Sequence, residues 1–341
     1  MALTKPQQRH QAEIVLTNPA KTHPEVKVQA VAARDKHRAV AYADKHALNK
    51  GKHVLVETPL AVNAIEAVAL CRSPMLQKPN APILLEAMHH RFQPSWQYFL
   101  SLVDQSSLDH VVCIGKLPSH IIPKTSVQLG YETGGGNLLN LGTYGMCVLR
   151  EIIGAEPEEC TKCAARRTPL NELCDETAGS TFRFPHGPVG EMVTDMRASV
   201  FILPTFIATV VHKEVPAEDF KLSRGQMKFR IRKATLNNSL FIIKKVDGET
   251  NEVIKRWTKK ESGKIYTFKD AGCDRSGEPF GAPWRHQLEQ FVNRVRGREG
   301  SGLWFNIEGS LKQLKMIGMA YEKSGLALRP IGNFLLRDPS A

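Results

Sequence analysis

The apolar pattern of this chain changes near residue 105, and that change limits the fold more than any other feature. Before it, short β-branched runs alternate with helical stretches: strands are expected at 26–32, 53–57 and 83–87, helices at 7–16, 36–46 and 64–72. Such alternation specifies a parallel, doubly wound sheet. After it, strand patterns at 111–115, 160–165, 180–184, 190–198 and 206–212 are interrupted by a helix at 138–153. Strands without crossover helices argue for a largely antiparallel sheet. The expected fold class is therefore α/β followed by α+β. A first domain with a parallel sheet would cover 1–106, and a C-terminal domain with a mostly antiparallel sheet would cover 107–341. Two amphipathic helices close the chain. Leu288, Phe291, Val292 and Val295 form the stripe of the first; Leu311, Leu314, Gly318 and Tyr321 form that of the second, with Gly325 as its stop.

Composition removes several classes of function. At 42% hydrophobic and 23% charged, the 341 residues are neither disordered, collagenous nor coiled-coil. No apolar run approaches the roughly 20 residues that span a bilayer, and the first residues lack a secretory pattern, so no membrane partner is expected. Seven thinly spread cysteines fit a reducing compartment, and a cytoplasmic location is the expectation. The net charge of +12 is concentrated between 221 and 269. There Lys228-Phe229-Arg230-Ile231-Arg232 alternates with period two, as a solvated sheet face does. An anion-binding surface is the alternative; without a stacking module, no nucleic-acid partner is expected.

Four stretches carry chemistry together. Ala30-Val31-Ala32-Ala33-Arg34-Asp35 precedes an Ala-rich helix, and Gly51-Lys52-His53-Val54-Leu55-Val56-Glu57-Thr58-Pro59 follows it. Glu86-Ala87-Met88-His89-His90-Arg91-Phe92-Gln93-Pro94 is the third, and Gly134-Gly135-Gly136-Asn137-Leu138-Leu139-Asn140-Leu141-Gly142-Thr143-Tyr144 the fourth. In this order they resemble the glucose–fructose oxidoreductase/inositol dehydrogenase family, particularly its branch of NADP-dependent xylose and dihydrodiol dehydrogenases. The resemblance implies that 1–106 is a truncated nucleotide-binding (Rossmann-like) domain and that 107–341 carries a large, open sheet that serves substrate and dimer contacts. It also implies a homodimer, NADP (or NAD) as cofactor, and hydride transfer on a small-molecule substrate: a sugar, a cyclic alcohol or a secondary-metabolite carbonyl. Tyr144 stands at the family's proton donor. Asn140 stands where an aspartate is usual, and Thr58 where the lysine of a Glu-Lys-Pro motif is usual; both would orient the substrate oxygen. Arg34 would take a ribose 2′-phosphate, with Glu57, Pro59 and Arg91 along the cofactor edge.

The departures point the other way. No G-x-G-x-x-G occurs, and the chain opens in what reads as the helix after that turn. Between His46 and Gly51 there is no room for the strand–helix segment expected beside the nicotinamide. Cofactor binding is therefore expected to be weak and activity impaired. A non-redox relic, or a scaffold reused through its C-terminal sheet, is the alternative. A threonine hydroxyl also brings no positive charge to the reacting oxygen. Gly134-Gly135-Gly136 follows no strand and lacks a following Lys-Ser/Thr, so it reads as a flexible, substrate-facing helix entry. Cys160-x-x-Cys163 has no partner pair at ligand spacing and reads as buried cysteines; no metal site is expected.

Overall fold

The computed structural model describes residues 18–21, 23–26, 53–217, 228–237, 242–249, 257–264, 283–300 and 304–331. The helices expected at 7–16 and 36–46, nearly all of the strand at 26–32, and Arg34 lie outside the described residues, as do the side chains of the basic segment except for the end of one strand. Of the first half, β1 (Val54–Val56) and β2 (Leu84–Glu86) pair in parallel, Val54 against Leu84 and Val56 against Glu86. Between them runs α2 (Ala64–Cys71), after the short α1 (Asn18–Lys21). Asn63 caps α2 by accepting from the Glu66 amide at 2.9 Å. A helix that periodicity did not find, α3 (Pro94–Ser101), begins with proline at its first turn and buries Trp96 and Phe99.

The second half is the expected open sheet. Its strands are β3 (Leu108–Pro118), β4 (Glu159–Thr168), β5 (Asn171–Arg183), β6 (Val189–Ala198), β7 (Thr205–His212), β8 (Val215–Ala217), β9 (Lys228–Asn237), β10 (Ile242–Glu249) and β11 (Trp257–Lys264). They run in the order β11-β10-β9-β7-β3-β6-β5-β4, with β8 beside β9. Pairing is antiparallel except between β3 and β6. Alternation puts Val111, Cys113, Phe182, Met192, Ala208, Val210 and Leu236 on one buried face. Against that face lies α4 (Leu141–Ile153), through Met146, Leu149 and Ile152. The closing helices are α5 (Pro283–Val295) and α6 (Ile307–Ser324); the latter ends at Gly325, in the left-handed conformation (φ 70°). Leu314, Ile317 and Tyr321 join the same core.

The glycine run differs from its expected role. Gly134, Gly135 and Gly136 are buried, and the Gly135 and Gly136 amides donate to Gly130 O at 2.7 Å and Gln128 O at 2.8 Å. Gly136 sits at φ 116°, and a Cβ there would lie 2.6 Å from Asp175 Oδ1 and 2.8 Å from Arg329 Nη2. Arg329 also donates to Gly135 O while its guanidinium lies over the Tyr131 and Tyr321 rings. The glycines are thus a locked turn rather than a flexible, substrate-facing entry. Sequence missed this because Asp175 and Arg329, which fill the space, lie far away in the chain.

Candidate active site

The two parallel strands end level with each other, so residues 57–60 and 87–90 emerge side by side. Ligands of open α/β sheets gather beyond the C-terminal ends of such strands. The buried Glu86 carboxylate organises this corner: its Oε1 accepts from Thr58 Oγ1 at 2.8 Å and from the Leu60 amide at 3.1 Å. The Thr58–Pro59 peptide is cis. Thr58 spends its only proton on Glu86, so toward a third group its hydroxyl is an acceptor. Glu57 is exposed at the strand end and Pro59 is buried.

Helix α4 supplies the facing wall. Tyr144 packs with Leu85, Met88, Phe92 and Cys147. Its ring lies 5.3 Å from that of His89, which is itself 5.0 Å from Trp284 of α5. Burial raises the Tyr144 phenol above its usual range, and the Glu57 and Glu86 charges push it the same way. Burial, helped by the neighbouring His90, pushes His89 down to about 3, so its imidazole is neutral at physiological pH. Its Nδ1 is buried without a hydrogen-bond partner. The corner therefore combines a fully protonated phenol, a neutral imidazole, a hydroxyl acceptor and two carboxylates.

The remaining expected site residues are used locally. Asn140 precedes the first turn of α4, with φ −99° and ψ −86°, and donates its side-chain amide to Gly136 O at 2.6 Å. It therefore does not share a regular helix face with Tyr144, because the helix starts one residue after it. Arg91 pairs with Glu151 of α4, and its guanidinium lies 4.7 Å from the Phe305 ring. Glu151 also accepts from Trp96 Nε1 at 3.0 Å. In the sequence His89 and His90 follow a buried strand and could line the cleft, with a structural role the favoured reading, while Cys147 and Glu151 receive no site role. Cys147 and Glu151 do stand at i and i+4 on one helix, a spacing that could have flagged them.

No family model matches the chain. Trans-1,2-dihydrobenzene-1,2-diol dehydrogenase of Sus scrofa is 26% identical over 215 residues, 52% of this chain and 62% of that protein. The enzyme of the same name from Mus musculus is 28% identical over 186 residues, 49% and 52%. The chain thus spans about three fifths (62%) of the length of its pig relative. An uncharacterized oxidoreductase of Rhizobium meliloti is 30% identical over 115 residues, 33% of each chain. Among solved structures, UDP-N-acetylglucosamine 3-dehydrogenase from Acidithiobacillus ferrooxidans superposes with a TM-score of 0.61 at 14% identity, over 88% of this chain and 79% of that one. Aldose–aldose oxidoreductase from Caulobacter crescentus, complexed with glycerol, gives 0.57 at 16% identity over 94% and 87%. The structural likenesses carry the fold, a Rossmann-type unit followed by the open sheet. The curated likenesses make the chain similar to trans-1,2-dihydrobenzene-1,2-diol dehydrogenases over about half of its length, in keeping with the resemblance its motifs carry.

Proposed function

We propose that the chain is an NAD(P)-linked oxidoreductase that transfers hydride on a small molecule: a sugar, a cyclic alcohol or a secondary-metabolite carbonyl. The reading rests on the family resemblance and on one observation above the others. Tyr144 faces the C-terminal ends of β1 and β2 with its phenol held protonated by burial and by two carboxylates. Such a phenol is a poor base and an adequate acid toward an alkoxide, which is more basic still. In this proposal Tyr144 donates its proton to the oxygen of the reduced carbonyl. Thr58, with its proton on Glu86, accepts from a neighbouring substrate hydroxyl and so fixes orientation. His89, neutral and wedged between Tyr144 and Trp284, holds the phenol in place.

The nicotinamide end of the cofactor would lie at this corner, against the partly buried His89 and Tyr144 over a fully buried Met88 at level strand ends, with the buried His89 Nδ1 as a polar atom toward it. The cofactor would supply the hydride. For its phosphates, the sequence holds no G-x-G-x-x-G, and Arg91 is engaged by Glu151. Arg34 and Glu57 stay in the proposal as the ribose-side residues, and Asn140 as an outer contact of the substrate. Weak cofactor binding, with Kd above about 100 μM, follows from losing several charge-assisted hydrogen bonds. A homodimer in the cytoplasm belongs to the same proposal. Exposed Leu173, Val193, Val200, Phe201 and Leu203 around the large sheet support a covered face, and among the described residues no helix is long and apolar enough to cross a membrane.

The test is NADPH titration followed by turnover on a panel of sugars, cyclic ketones and aromatic carbonyls. Tyr144→Phe should leave NADPH binding unchanged and lower kcat by about 100-fold or more, the scale of a lost general acid. Equal turnover by the wild type and Tyr144→Phe would overturn the assignment. The reused-scaffold reading is favoured by the internal commitments of Thr58, Asn140 and Arg91, and binding of substrate analogues without any hydride transfer would support it.

A further inference from the structure

Among the described residues, one group brings three metal-ligating side chains together. His90, Cys147 and Glu151 have donor atoms that all lie within 4.8 Å of one another. Cys147 and Glu151 stand at i and i+4 on α4, so they share a face, and His90 reaches them from the 3-10 turn after β2 (His89–Phe92). The geometry points to a binding site for a zinc-like divalent ion on these three side chains, with its fourth position turned to the adjacent cavity.

Four observations carry this. His90 is only 5% exposed, yet neither ring nitrogen makes a hydrogen bond; Nε2 stands 3.6 Å from Glu151 Oε2. A buried imidazole in that state is costly, and an ion on Nε2 removes the share that this nitrogen carries. Cys147 is a fully buried free thiol, a soft donor beside it. Glu151 is steadied by Trp96 Nε1 at 3.0 Å and by Arg91, and its oxygens keep further lone pairs. Finally, Arg91, Cys147 and Glu151 all line a cavity of about 340 Å³, which gives an entry path and room for a solvent ligand.

Donor type selects the ion. One sulfur, one imidazole and one carboxylate suit zinc, whereas calcium and magnesium take oxygen shells. Bonds of about 2.0–2.3 Å put donors of a tetrahedral site roughly 3.3–3.8 Å apart, so the group must close by about 1 Å. As the sulfur–metal bond forms, the Cys147 proton leaves to solvent and no oxidation state changes. Thiolate and carboxylate then balance the 2+ charge. The Arg91 cation weakens the attraction, which sets the expected affinity at micromolar rather than tighter. Bound there, the ion would tie α4, which carries Tyr144, to the turn that carries His89.

The experiment uses the full chain, stripped with chelator and titrated with Co²⁺ and then Zn²⁺. One Co²⁺ per chain should bind with a thiolate charge-transfer band in the near ultraviolet, and one equivalent of Zn²⁺ should erase it. Cys147→Ser and His90→Gln should each abolish the band and weaken Zn²⁺ binding by more than the roughly 10–100-fold that loss of a supporting partner costs. Near-ultraviolet circular dichroism checks that both variants are folded; if one is not, the other decides. No band in the wild type would overturn the site. So would a band that persists in a folded variant: in Cys147→Ser the ion would sit on another of the cysteines, and in His90→Gln on Cys147 without the imidazole.

Discussion

Replacing Arg91 by alanine separates two readings of that residue. The Arg91 and Glu151 side chains are 12% and 11% exposed, so their ion pair is largely out of water. Without Arg91, the Glu151 carboxylate keeps the Trp96 Nε1 hydrogen bond at 3.0 Å but loses its compensating charge. Breaking a buried pair from one side costs about 3–5 kcal/mol, mostly as the penalty of the stranded charge. The contact of the guanidinium with Phe305, 4.7 Å from the ring centroid, is lost as well. Taking about 4 kcal/mol and a urea slope of about 3 kcal/mol/M, the unfolding midpoint should fall by about 1.3 M. The measurement is urea unfolding at pH 7 in chelator. Because the penalty belongs to the stranded carboxylate, Arg91→Met with Glu151→Met should recover most of the loss. The refuting outcome is specific: an Arg91→Ala midpoint within about 0.3 M of wild type, about 1 kcal/mol at that slope, together with weakened NADPH binding. Arg91 would then act on the cofactor, as the family resemblance implies.

Two further perturbations test the packing and the charges. Gly145→Ala should destabilise by about 1–3 kcal/mol despite the better helix propensity of alanine. A Cβ there would lie 2.7 Å from Met192 Cγ, in the core between α4 and β6; an unchanged thermal midpoint would show that Met192 can move aside. Burial raises Asp175 to about 6, against hydrogen bonds from the backbone and the nearby Arg329 charge, which lower it. A folded pKa above the unfolded value of 3.8 contributes stability that is complete below 3.8 and lost as pH rises through 6. That amounts to about 3 kcal/mol. His89, lowered to about 3, acts oppositely: its contribution is present above pH 6.5 and lost as pH falls toward 3. These two contributions therefore nearly cancel between pH 4 and 6. Asp175→Asn keeps an acceptor for the Leu138 amide, so its stability relative to wild type should rise across this range as pH increases. Parallel stability curves for the two proteins would refute the Asp175 assignment.

The fold was legible wherever burial on one face wrote itself into the sequence. Strands β3, β6 and β7 alternate because one face packs on α4 and the other does not, and the readings at 111–115, 190–198 and 206–212 fall inside them. β5 extends nine residues N-terminal to the 180–184 reading, beginning at Asn171. Its first half buries Cys174, Asp175 and Glu176 consecutively, and consecutive burial of polar residues erases period two. Helix α3 was missed for the opposite reason. It is as short as α2, but its only buried apolar anchors beyond Pro94 are Trp96 and Phe99, three residues apart, with no further one to set a period.

Site residues were legible by type and position, while their chemical availability depends on partners the sequence does not place. Thr58 reads as a hydroxyl able to donate, until Glu86, twenty-eight residues on, takes its proton. Asn140 reads as a partner of Tyr144, until the helix starts one residue later and its amide turns to Gly136. Arg91 reads as a cation facing the cleft, until Glu151 claims it. In each case the residue's strongest local alternative wins because it costs less than leaving a buried polar group unpaired. Tyr144 has no such alternative hydrogen bond among the described residues, and its surroundings raise rather than lower its proton affinity. A lysine at position 58 would counter the Glu57 and Glu86 charges and bring the phenol down, which favours abstraction of a proton as well as its donation. With threonine there, burial and the two carboxylates leave the phenol a weaker acid than it would be beside a lysine, which is the physical reason impaired turnover is expected in either direction.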